Sequence, residues 1–301
     1  MKNNRPPARK HPKDGPRRSN PRKGTAENRG KRSSGTGGTR RGGSGGGGGG
    51  SSGGADADSL YLYGLHTVRA ALDNPQRRIE RLIVTENGAD RIDHIHPDRG
   101  TLPVEIKPPA YLQQLVGSEA VHQGVVLQCA PLDMLDASEL FHLADAKLIL
   151  ALDQLTDPHN VGAILRSASA LGADAVLTTS RNSAHETAVL AKSASGALDT
   201  IRLISLRNLS KSLAELNEMG FVTIGLDSDG PLILEDTLTT HNVKKVVLVL
   251  GAENKGLRQM TRETCSALAR LDMPGPIKSL NVSNAATLSL YAVTRHLMTS
   301  R

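Results

Sequence analysis

The hydrophobic pattern is most regular from Lys147 to the end of the chain. Short, nearly continuous apolar runs alternate there with longer stretches whose apolar residues recur at helical spacing. Such runs, separated by helices, predict a parallel β-sheet covered on both faces. Six strands are predicted, at KLILALDQL, DAVLTT, TIRLISL, FVTIGLD, KVVLVLG and ALARLDM. Helices are predicted between them at NVGAILRSASALG, ETAVLAKSASGAL and LSKSLAELNEMG.

A second, smaller unit is predicted from Ser59 to Pro131. Its pattern gives a helix over about residues 66–72, a strand at RIERLIVTE, a helix at AYLQQLVG and a strand at HQGVVLQCAP. Residues 132–146 link this unit to the larger one. The predicted fold class is therefore α/β, with a small domain at residues 59–131 and a larger domain at residues 147–301.

Residues 1–58 show no apolar pattern. Every residue from Gly42 to Gly54 is glycine or serine, a composition that behaves as a flexible coil. We therefore predict a disordered tail that is basic at its start and rich in glycine and serine at its end. This tail explains most of the low apolar content of the chain, which is 38%.

The positive charge of the chain belongs to this tail. Up to Arg41 it carries 14 lysines and arginines against two acidic residues, whereas the rest of the chain carries 23 against 28. Two interpretations remain open: a solvated extension, or a tethered basic arm that speeds encounters with RNA through phosphate contacts. The tail has no apolar run, so it resembles neither a signal peptide nor a transit peptide.

The sequence shows no pattern typical of a metal site, a disulfide framework or a membrane span. Cys129 and Cys265 lie far apart in apolar or helical contexts. His94 and His96 have no further candidate ligand nearby and are interpreted as surface histidines. No apolar run approaches the length that crosses a membrane. We therefore expect a soluble, cytoplasmic protein that holds no metal.

Polar residues occur in three of the loops that follow predicted strands. The loop after the first strand of the larger domain contains Asn160 and, further along its helix, Arg166. The loop after the fifth strand carries Glu253, and the loop after the last carries Ser279 and Asn281. Because ligands of open parallel sheets bind beyond the carboxyl ends of the strands, we expect these residues to form one site. Neither a G-x-G-x-x-G loop nor a Walker-type phosphate loop occurs in the folded part.

Two of these residues also have a purely structural interpretation. Asn160 precedes a helix and would serve as its N-cap, and Glu253 would pair with Lys255 or Arg258 in a turn. The last loop is harder to explain in this way. Four polar residues crowd the start of the final helix after two prolines and a glycine, although a helix needs only one N-cap.

Together, the three loops resemble the motifs of the SpoU/TrmH family of RNA ribose 2′-O-methyltransferases, which belongs to the SPOUT superfamily. The matching stretches are DPHNVGAILRSASALG, LVLGAENKGL and LDMPGPIKSLNVSNAA, in the family's order and spacing. The resemblance covers the chain from about Lys147 to its C-terminus. The small domain, which begins with GLHTVRAAL, resembles the ribosomal-protein-like substrate-binding domain of the RlmB branch. Members of that branch methylate a guanosine ribose in 23S rRNA.

The resemblance implies a topology and an assembly that the hydrophobic pattern does not. It implies a deep trefoil knot formed by the C-terminal segment, although ordinary topology rules describe knots as essentially absent. It also implies a homodimer whose active site draws residues from both subunits. The implied substrate is RNA, with 23S rRNA favoured by the small domain.

S-adenosylmethionine is the cofactor that the resemblance implies. Gly251, Leu271 and Leu280 would line its pocket through their backbones, and Met273 and Ile277 would add apolar walls. Two prolines limit the freedom of this loop, so less ordering entropy is lost on binding. Relatives usually have Ile-Pro-Met where this chain has Leu-Asp-Met, a difference that bears on affinity for the donor.

The other site residues would act on the ribose hydroxyl. The resemblance gives Arg166, the arginine of the first motif, a direct role in activating that hydroxyl. Because a guanidinium group keeps its charge in proteins, we interpret Arg166 first as a clamp on the phosphate beside the target ribose. Asn160 and Glu253 would hold Arg166 and the substrate. Ser279 and Asn281 would orient the hydroxyl.

Some residues near the site have weaker assignments. Ser283 is expected to cap the final helix. Lys192, Ser193 and Ser195, in the stretch SAHETAVLAKSASGALDTI, are candidates for RNA contact. The same stretch is equally well interpreted as an ordinary amphipathic helix that stops at Gly196.

Two other functions remain open. A tRNA methyltransferase would use the same chemistry, but TrmH relatives that modify tRNA typically lack an N-terminal domain like this one. A non-catalytic RNA-binding protein, such as a ribosome assembly factor, would not need polar residues in three separate loops. Aromatic residues make up only 2% of the chain, so few side chains could stack on RNA bases.

Overall fold

Two β-sheets organise the chain in the computed structural model, which describes residues 59–93, 102–253 and 255–299. Both sheets lie in the unit that spans Gly54–Arg301. The predictions made for the tail and for His94 and His96 concern positions outside the described residues. Within the described ranges, no helix is long and apolar enough to cross a membrane.

The first sheet is mixed and has four strands. They are β1 (Leu60–Tyr63), β2 (Ile79–Val84), β3 (Val104–Ile106) and β4 (Val125–Cys129). Its helices are α1 (Leu65–Asp73), α2 (Glu86–Asp93) and α3 (Pro109–Val116). The strand order is β1-β4-β2-β3, with β4 antiparallel to both of its neighbours and β2 parallel to β3.

The predicted elements α1, β2, α3 and β4 are confirmed, whereas the hydrophobic pattern does not show β1, α2 or β3. Strand β3 has only three residues, and two of them, Val104 and Ile106, are exposed. Helix α2, with the sequence ENGADRID, is mostly polar. Neither element buries enough apolar surface to leave a periodic signal.

The second sheet has seven parallel strands. They are β5 (Leu148–Asp153), β6 (Ala175–Thr179), β7 (Arg202–Leu206), β8 (Val222–Leu226), β9 (Leu232–Ile233), β10 (Val246–Gly251) and β11 (Ala267–Arg270). Their order is β7-β6-β5-β10-β8-β11-β9, and every pairing is parallel. The six predicted strands and their parallel arrangement are confirmed. Strand β9, with two residues, is too short to leave a pattern.

Helices cover both faces of this sheet, as predicted. They are α4 (Pro158–Ala170), α5 (Ala188–Ala194), α6 (Leu209–Glu218), α7 (Leu234–Thr240), α8 (Gln259–Thr264) and α9 (Val282–Thr299), with 3₁₀ helices at Ala137–Leu143 and Ala197–Asp199. Along β5, Leu148 and Leu150 belong to a core that includes α4, α9 and the small sheet, whereas Ile149 belongs to a core with α6. This alternation follows from the period of two in a strand.

A buried ion cluster connects the small sheet to the large one. The guanidinium of Arg77, just before β2, lies 2.6 Å from Glu186 and 2.9 Å from Asp199. The side chains of Arg77 and Asp199 are fully buried. Burial by itself would lower the pKa of Arg77, but the hydrogen bonds and charges of Asp199 and Glu186 outweigh it, so the pKa is raised.

Candidate active site

Two cavities lie at the carboxyl edge of the large sheet. One, of about 430 Å³, lies beyond β8, β10 and β11 and is called the β8–β11 cavity here. The other, of about 420 Å³, lies beyond β5, β6 and β10 and is called the β5–β6 cavity. Both volumes fall in the range of small-ligand sites. Because β10 lies between β5 and β8 in the sheet, the two cavities are neighbours.

The two cavities share one wall. The residues that line both are Ala252, Glu253, Lys255 and Val282. The common wall is therefore formed by the loop after β10 together with the start of α9. Ligands placed in the two cavities would therefore contact the same four residues.

Most of the residues expected to hold a cofactor line the β8–β11 cavity. Those on its lining are Gly251, Leu271, Met273 and Leu280. Ser279, which was expected to act on the ribose hydroxyl, also lines this cavity and not the other one. Ile277 does not line it and is 74% exposed. The ammonium of Lys278 donates to the carbonyl of Met273 at 2.5 Å. This bond closes the loop at its base, so residues 274–277 lie on its exposed outer side.

Hydrogen bonds bring together three of the predicted residues from three different loops. Nδ2 of Asn160 donates to Oε1 of Glu253 at 2.7 Å. Nδ2 of Asn281 donates to the same Oε1 at 2.9 Å and lies 3.0 Å from Oδ1 of Asn160. Glu253 therefore receives two amide donors at one carboxylate oxygen, at the wall between the cavities.

The structure assigns the capping of helix α4 to Asp157 rather than to Asn160. The carboxylate of Asp157 accepts from the backbone N–H of His159 at 3.2 Å and of Asn160 at 3.3 Å. This arrangement satisfies free N–H groups of the first turn. The side chain of Asn160 is therefore free to reach Glu253.

The final helix is capped by Asn281, and the expectation that Ser283 caps it is corrected. Oδ1 of Asn281 accepts from the backbone N–H of Ser283 at 2.9 Å and from its hydroxyl at 2.5 Å. The helix begins at Val282, so Ser283 lies inside its first turn, where its own side chain cannot serve as the N-cap. Asn281 thus caps α9 with its side-chain oxygen and contacts Asn160 and Glu253 with its side-chain nitrogen.

The loop after β10 is shaped by a close approach of its two ends. A Cβ added at Gly251 would lie 2.1 Å from the carbonyl carbon of Gly256, and Gly256 itself has a φ of +62°. Only glycine at position 251 allows this approach. Arg258, a candidate partner of Glu253, instead pairs with the buried carboxylate of Asp153 at 2.6 Å. Among the described residues, Lys255 does not pair with Glu253 either, so the side-chain contacts of Glu253 are with Asn160 and Asn281.

Within one chain, Arg166 lies apart from Asn160, Glu253 and Asn281. Its side chain is exposed on α4 and lines neither cavity. Among the described residues, it makes no hydrogen bond or ion pair, so the expected contacts with Asn160 and Glu253 are not present in a single chain. Its neighbour Ser167 lies with its hydroxyl 2.8 Å from that of Thr287 on α9.

The α5 segment lies between the small sheet and the site. The ammonium of Lys192 lies 5.6 Å from the ring centre of Tyr63 at the end of β1, and burial lowers the pKa of Lys192. The hydroxyl of Ser193 lies 3.5 Å from Nδ1 of His159, next to Asn160. Of the three weaker candidates for RNA contact, Lys192 thus lies against the small sheet and Ser193 lies beside the site.

Several residues of the β5–β6 cavity are not marked by any sequence motif. They are Gln154, Leu155, Thr156 and Asn182. Gln154 directly follows β5, and Asn182 lies three positions after β6. The rule that places ligands beyond strand ends could have found them, but asparagine and glutamine in turns are common for conformational reasons alone.

The described residues offer no site of another chemical kind. No group of three or more His, Cys, Asp or Glu side chains among them could hold a metal ion. Burial raises the pKa of the Cys129 and Cys265 thiols to about 12. Neither described thiol is therefore a nucleophile at neutral pH, because the thiolate is the reactive form.

Two family models match the chain. The model of the SpoU rRNA Methylase family matches residues 147–291, and the model of RNA 2′-O ribose methyltransferase substrate binding matches residues 61–135. The 23S rRNA (guanosine-2′-O-)-methyltransferase RlmB of Vibrio vulnificus is 33% identical over 252 residues, which are 80% of this chain and 98% of that protein. The protein of the same name from Pseudomonas aeruginosa is 36% identical over 242 residues, 78% of this chain and 95% of that protein.

Solved structures share the fold. The SpoU methyltransferase AviRb from Streptomyces viridochromogenes matches with a TM-score of 0.67 at 21% identity, over 81% of this chain and 92% of that one. An AdoMet-bound rRNA methyltransferase from Sinorhizobium meliloti matches with a TM-score of 0.63 at 24% identity, over 80% of this chain and 88% of that one. Because the two RlmB relatives are 33% and 36% identical over about four fifths of it, the chain belongs to the SpoU rRNA methylase family.

Proposed function

We propose that this protein transfers a methyl group from S-adenosylmethionine to the 2′-hydroxyl of a guanosine ribose in 23S rRNA. The observation that carries the proposal is the pair of cavities that share a wall at Glu253. Methyl transfer needs donor and acceptor held side by side in this way. The RlmB relatives carry this reaction in their names. We also propose a cytoplasmic location, because the proposed substrate, rRNA, is found there.

The β8–β11 cavity is the proposed donor site. Gly251 brings the backbone of the loop after β10 to its edge, and Leu271, Met273 and Leu280 line it. Backbone amides and apolar side chains fit a ligand that combines an adenosine and a methionine portion. When bound, S-adenosylmethionine supplies a methyl group on a sulfonium, which is a good leaving group.

The β5–β6 cavity is the proposed acceptor site, and Glu253 is the group at its boundary. In the reaction, a bond would form between the 2′-oxygen and the methyl carbon, the carbon–sulfur bond would break to leave a neutral thioether, and the hydroxyl proton would pass to the Glu253 carboxylate. Oε1 of Glu253 accepts from Asn160 and Asn281, whereas Oε2 receives no hydrogen bond from a described residue. Oε2 is therefore available to accept the hydrogen bond of the ribose hydroxyl. Asn281 positions that hydroxyl indirectly, by holding Glu253, and Ser279 approaches it from the β8–β11 cavity.

Arg166 is proposed to clamp the phosphate beside the target ribose, in an active site completed by a second copy of the chain. On α9, Leu288 and Tyr291 are 51% and 57% exposed, and a second copy would cover this apolar face. The helix that carries Arg166 packs against α9, where the hydroxyl of Ser167 lies 2.8 Å from that of Thr287. In such a homodimer, Arg166 of one subunit would act at the active site of the other subunit.

The C-terminal segment is proposed to form the trefoil knot implied by the family resemblance. Two features of the described residues support this topology. The segment after β11 and the loop after β10 line the same cavity. From there α9 runs along α4, which follows the first strand of the sheet.

The proposal is tested by methyl transfer from labelled S-adenosylmethionine to unmodified 23S rRNA, with bulk tRNA in parallel. Alkaline hydrolysis follows, because a 2′-O-methyl group blocks cleavage at its own linkage. We expect label in an alkali-resistant dinucleotide whose first nucleoside is guanosine.

The other outcomes each change one part of the proposal. Label only in tRNA would support 2′-O-methyl transfer but would mean that the substrate is tRNA and not 23S rRNA. Donor binding without label in either RNA points to a pre-ribosomal particle as substrate, which the same assay on assembly intermediates would detect. Neither binding nor label would leave a non-catalytic RNA-binding protein.

A further inference from the structure

Two amide side chains in the β5–β6 cavity take no part in the hydrogen-bonded cluster around Glu253. Gln154 and Asn182 line this cavity, and neither side chain makes a hydrogen bond to another described residue. A carboxamide carries both donors and an acceptor. Two unpaired carboxamides in one cavity are therefore groups that a polar, planar ligand can satisfy.

The backbone at both residues is in the left-handed region. Gln154 has a φ of +61° and Asn182 a φ of +54°. Residues other than glycine adopt this conformation infrequently, so the surrounding structure must hold it. The backbone N–H of Ala184 donates to the carbonyl of Leu155 at 3.0 Å and ties the two loops together. Both amides are thus presented from loops that are held in place.

The order of the strands places these amides on the acceptor side of the wall. Strands β6, β5 and β10 are neighbours in that order, so Asn182, Gln154 and Glu253 follow one another along the carboxyl edge. The β8–β11 cavity lies on the opposite side of β10. A nucleoside whose ribose lies at Glu253 would extend its base toward the loops after β5 and β6.

We propose that Gln154 and Asn182 bind the base of the acceptor nucleoside and determine which base is accepted. This assignment holds only if the protein is the RNA methyltransferase proposed above. Guanine presents three hydrogen-bonding groups on its Watson–Crick edge, an oxygen acceptor and two nitrogen donors, whereas adenine presents two. Two carboxamides can satisfy all three groups of guanine, whereas adenine would leave part of the carboxamide donors and acceptors unpaired, which disfavours it.

The test compares a short RNA containing the methylated position with the same RNA carrying inosine there. Inosine lacks only the 2-amino group of guanosine. The proteins are the wild type and the variants Gln154→Gly and Asn182→Gly, because glycine adopts a positive φ without strain. We expect the wild type to favour guanosine in kcat/KM, and at least one variant to reduce that preference by about 5- to 100-fold.

Two measurements separate a lost base contact from a damaged fold. Donor binding by calorimetry should be unchanged in both variants, because neither residue lines the β8–β11 cavity. The matched control is Asn242→Gly. Asn242 also has a positive φ, of +43°, but it lies between α7 and β10, at the amino edge of the sheet. This control should keep the preference of the wild type.

Each remaining outcome overturns the inference in a recognisable way. An unchanged guanosine preference in both variants would remove their role in base selection and leave the methyltransferase assignment intact. A similar loss in Asn242→Gly would mean that a general effect of the substitution, rather than a base contact, is responsible. A wild-type protein that methylates neither free RNA nor assembly intermediates would overturn the proposed function and this inference together.

Discussion

Nδ2 of Asn281 lies 3.0 Å from Oδ1 of Asn160, although the two residues are 121 positions apart in the chain. Both amides also donate to Glu253, so three strand-end loops meet in one small polar cluster. Asn281 is the residue with two tasks, because its oxygen caps α9 while its nitrogen contacts the cluster. These two tasks can be separated by substitution.

Replacing Asn281 by serine should remove catalysis and keep stability. Serine is an efficient N-cap, but it has no amide to donate to Glu253. Asn281→Ala should lose catalysis as well, and loss of the N-cap should lower its free energy of unfolding by about 0.5–2 kcal/mol. Chemical denaturation and single-turnover methyl transfer measure the two effects. Equal stability of the two variants would contradict the capping role, and full activity of either would contradict the catalytic one.

Arg166→Ala should bind the donor normally and transfer no methyl group. The side chain lies away from the β8–β11 cavity, so only the clamp on the RNA phosphate is lost. Donor affinity by calorimetry and transfer rate at saturating RNA give the two values. Arg202→Ala serves as a control, because Arg202 is also exposed but begins β7 at the amino edge of the sheet. Activity of Arg166→Ala equal to that of this control would disprove the catalytic assignment.

Deleting the residues before Ser59 should weaken RNA binding mainly at low salt. The first 41 residues carry 14 lysines and arginines, and phosphate contacts by such groups make affinity fall with salt concentration. The plot of log affinity against log salt should become shallower, while the transfer rate at saturating RNA stays the same. A tail of equal length with its basic residues changed to serine should match the deletion. An unchanged slope in both proteins would mean that the tail does not contact RNA.

Arg77→Met should destabilise the protein by about 3–5 kcal/mol, because it leaves two buried carboxylates without their partner. The side chains of Arg77 and Asp199 are fully buried, and that of Glu186 is 10% exposed. Arg81→Met is the matched control. Arg81 pairs with Glu105 at 2.7 Å, but both side chains are about 30% exposed, so its loss should cost less than about 1 kcal/mol. Urea unfolding would reveal the difference, and equal midpoints for the two variants would contradict it.

The large sheet could be predicted from the sequence because its strands are buried on both faces. Strands such as β6 and β10 therefore read as continuous apolar runs. The small sheet was only partly predictable, since β1 lies at its edge and β3 has three residues. The loops that carry the candidate site followed from the rule on strand ends. Their assignment to methyl transfer came from the family resemblance, not from the hydrophobic pattern.

The roles of individual polar side chains were harder to predict. Asp157 and Asn160 are both good N-cap residues and lie three positions apart, so the sequence alone does not say which one caps α4. The same holds for Asn281 and Ser283 at α9. The exposed position of Ile277, in the loop whose ends are joined by the bond from Lys278 to Met273, is a tertiary detail without a sequence signal. The amides of Gln154 and Asn182 look like ordinary turn residues until the two loops are seen beside Glu253.

The wall shared by the two cavities has a consequence for ligand design. A single compound that joins a methionine–adenosine half to a guanosine half would cross this wall beside Glu253. Reacting atoms in a transfer site are about 3–3.5 Å apart, so the linker between the halves should be only one or two atoms long. Because linking makes the second binding step intramolecular, such a bisubstrate inhibitor should bind far more tightly than either half, and lengthening its linker should weaken it.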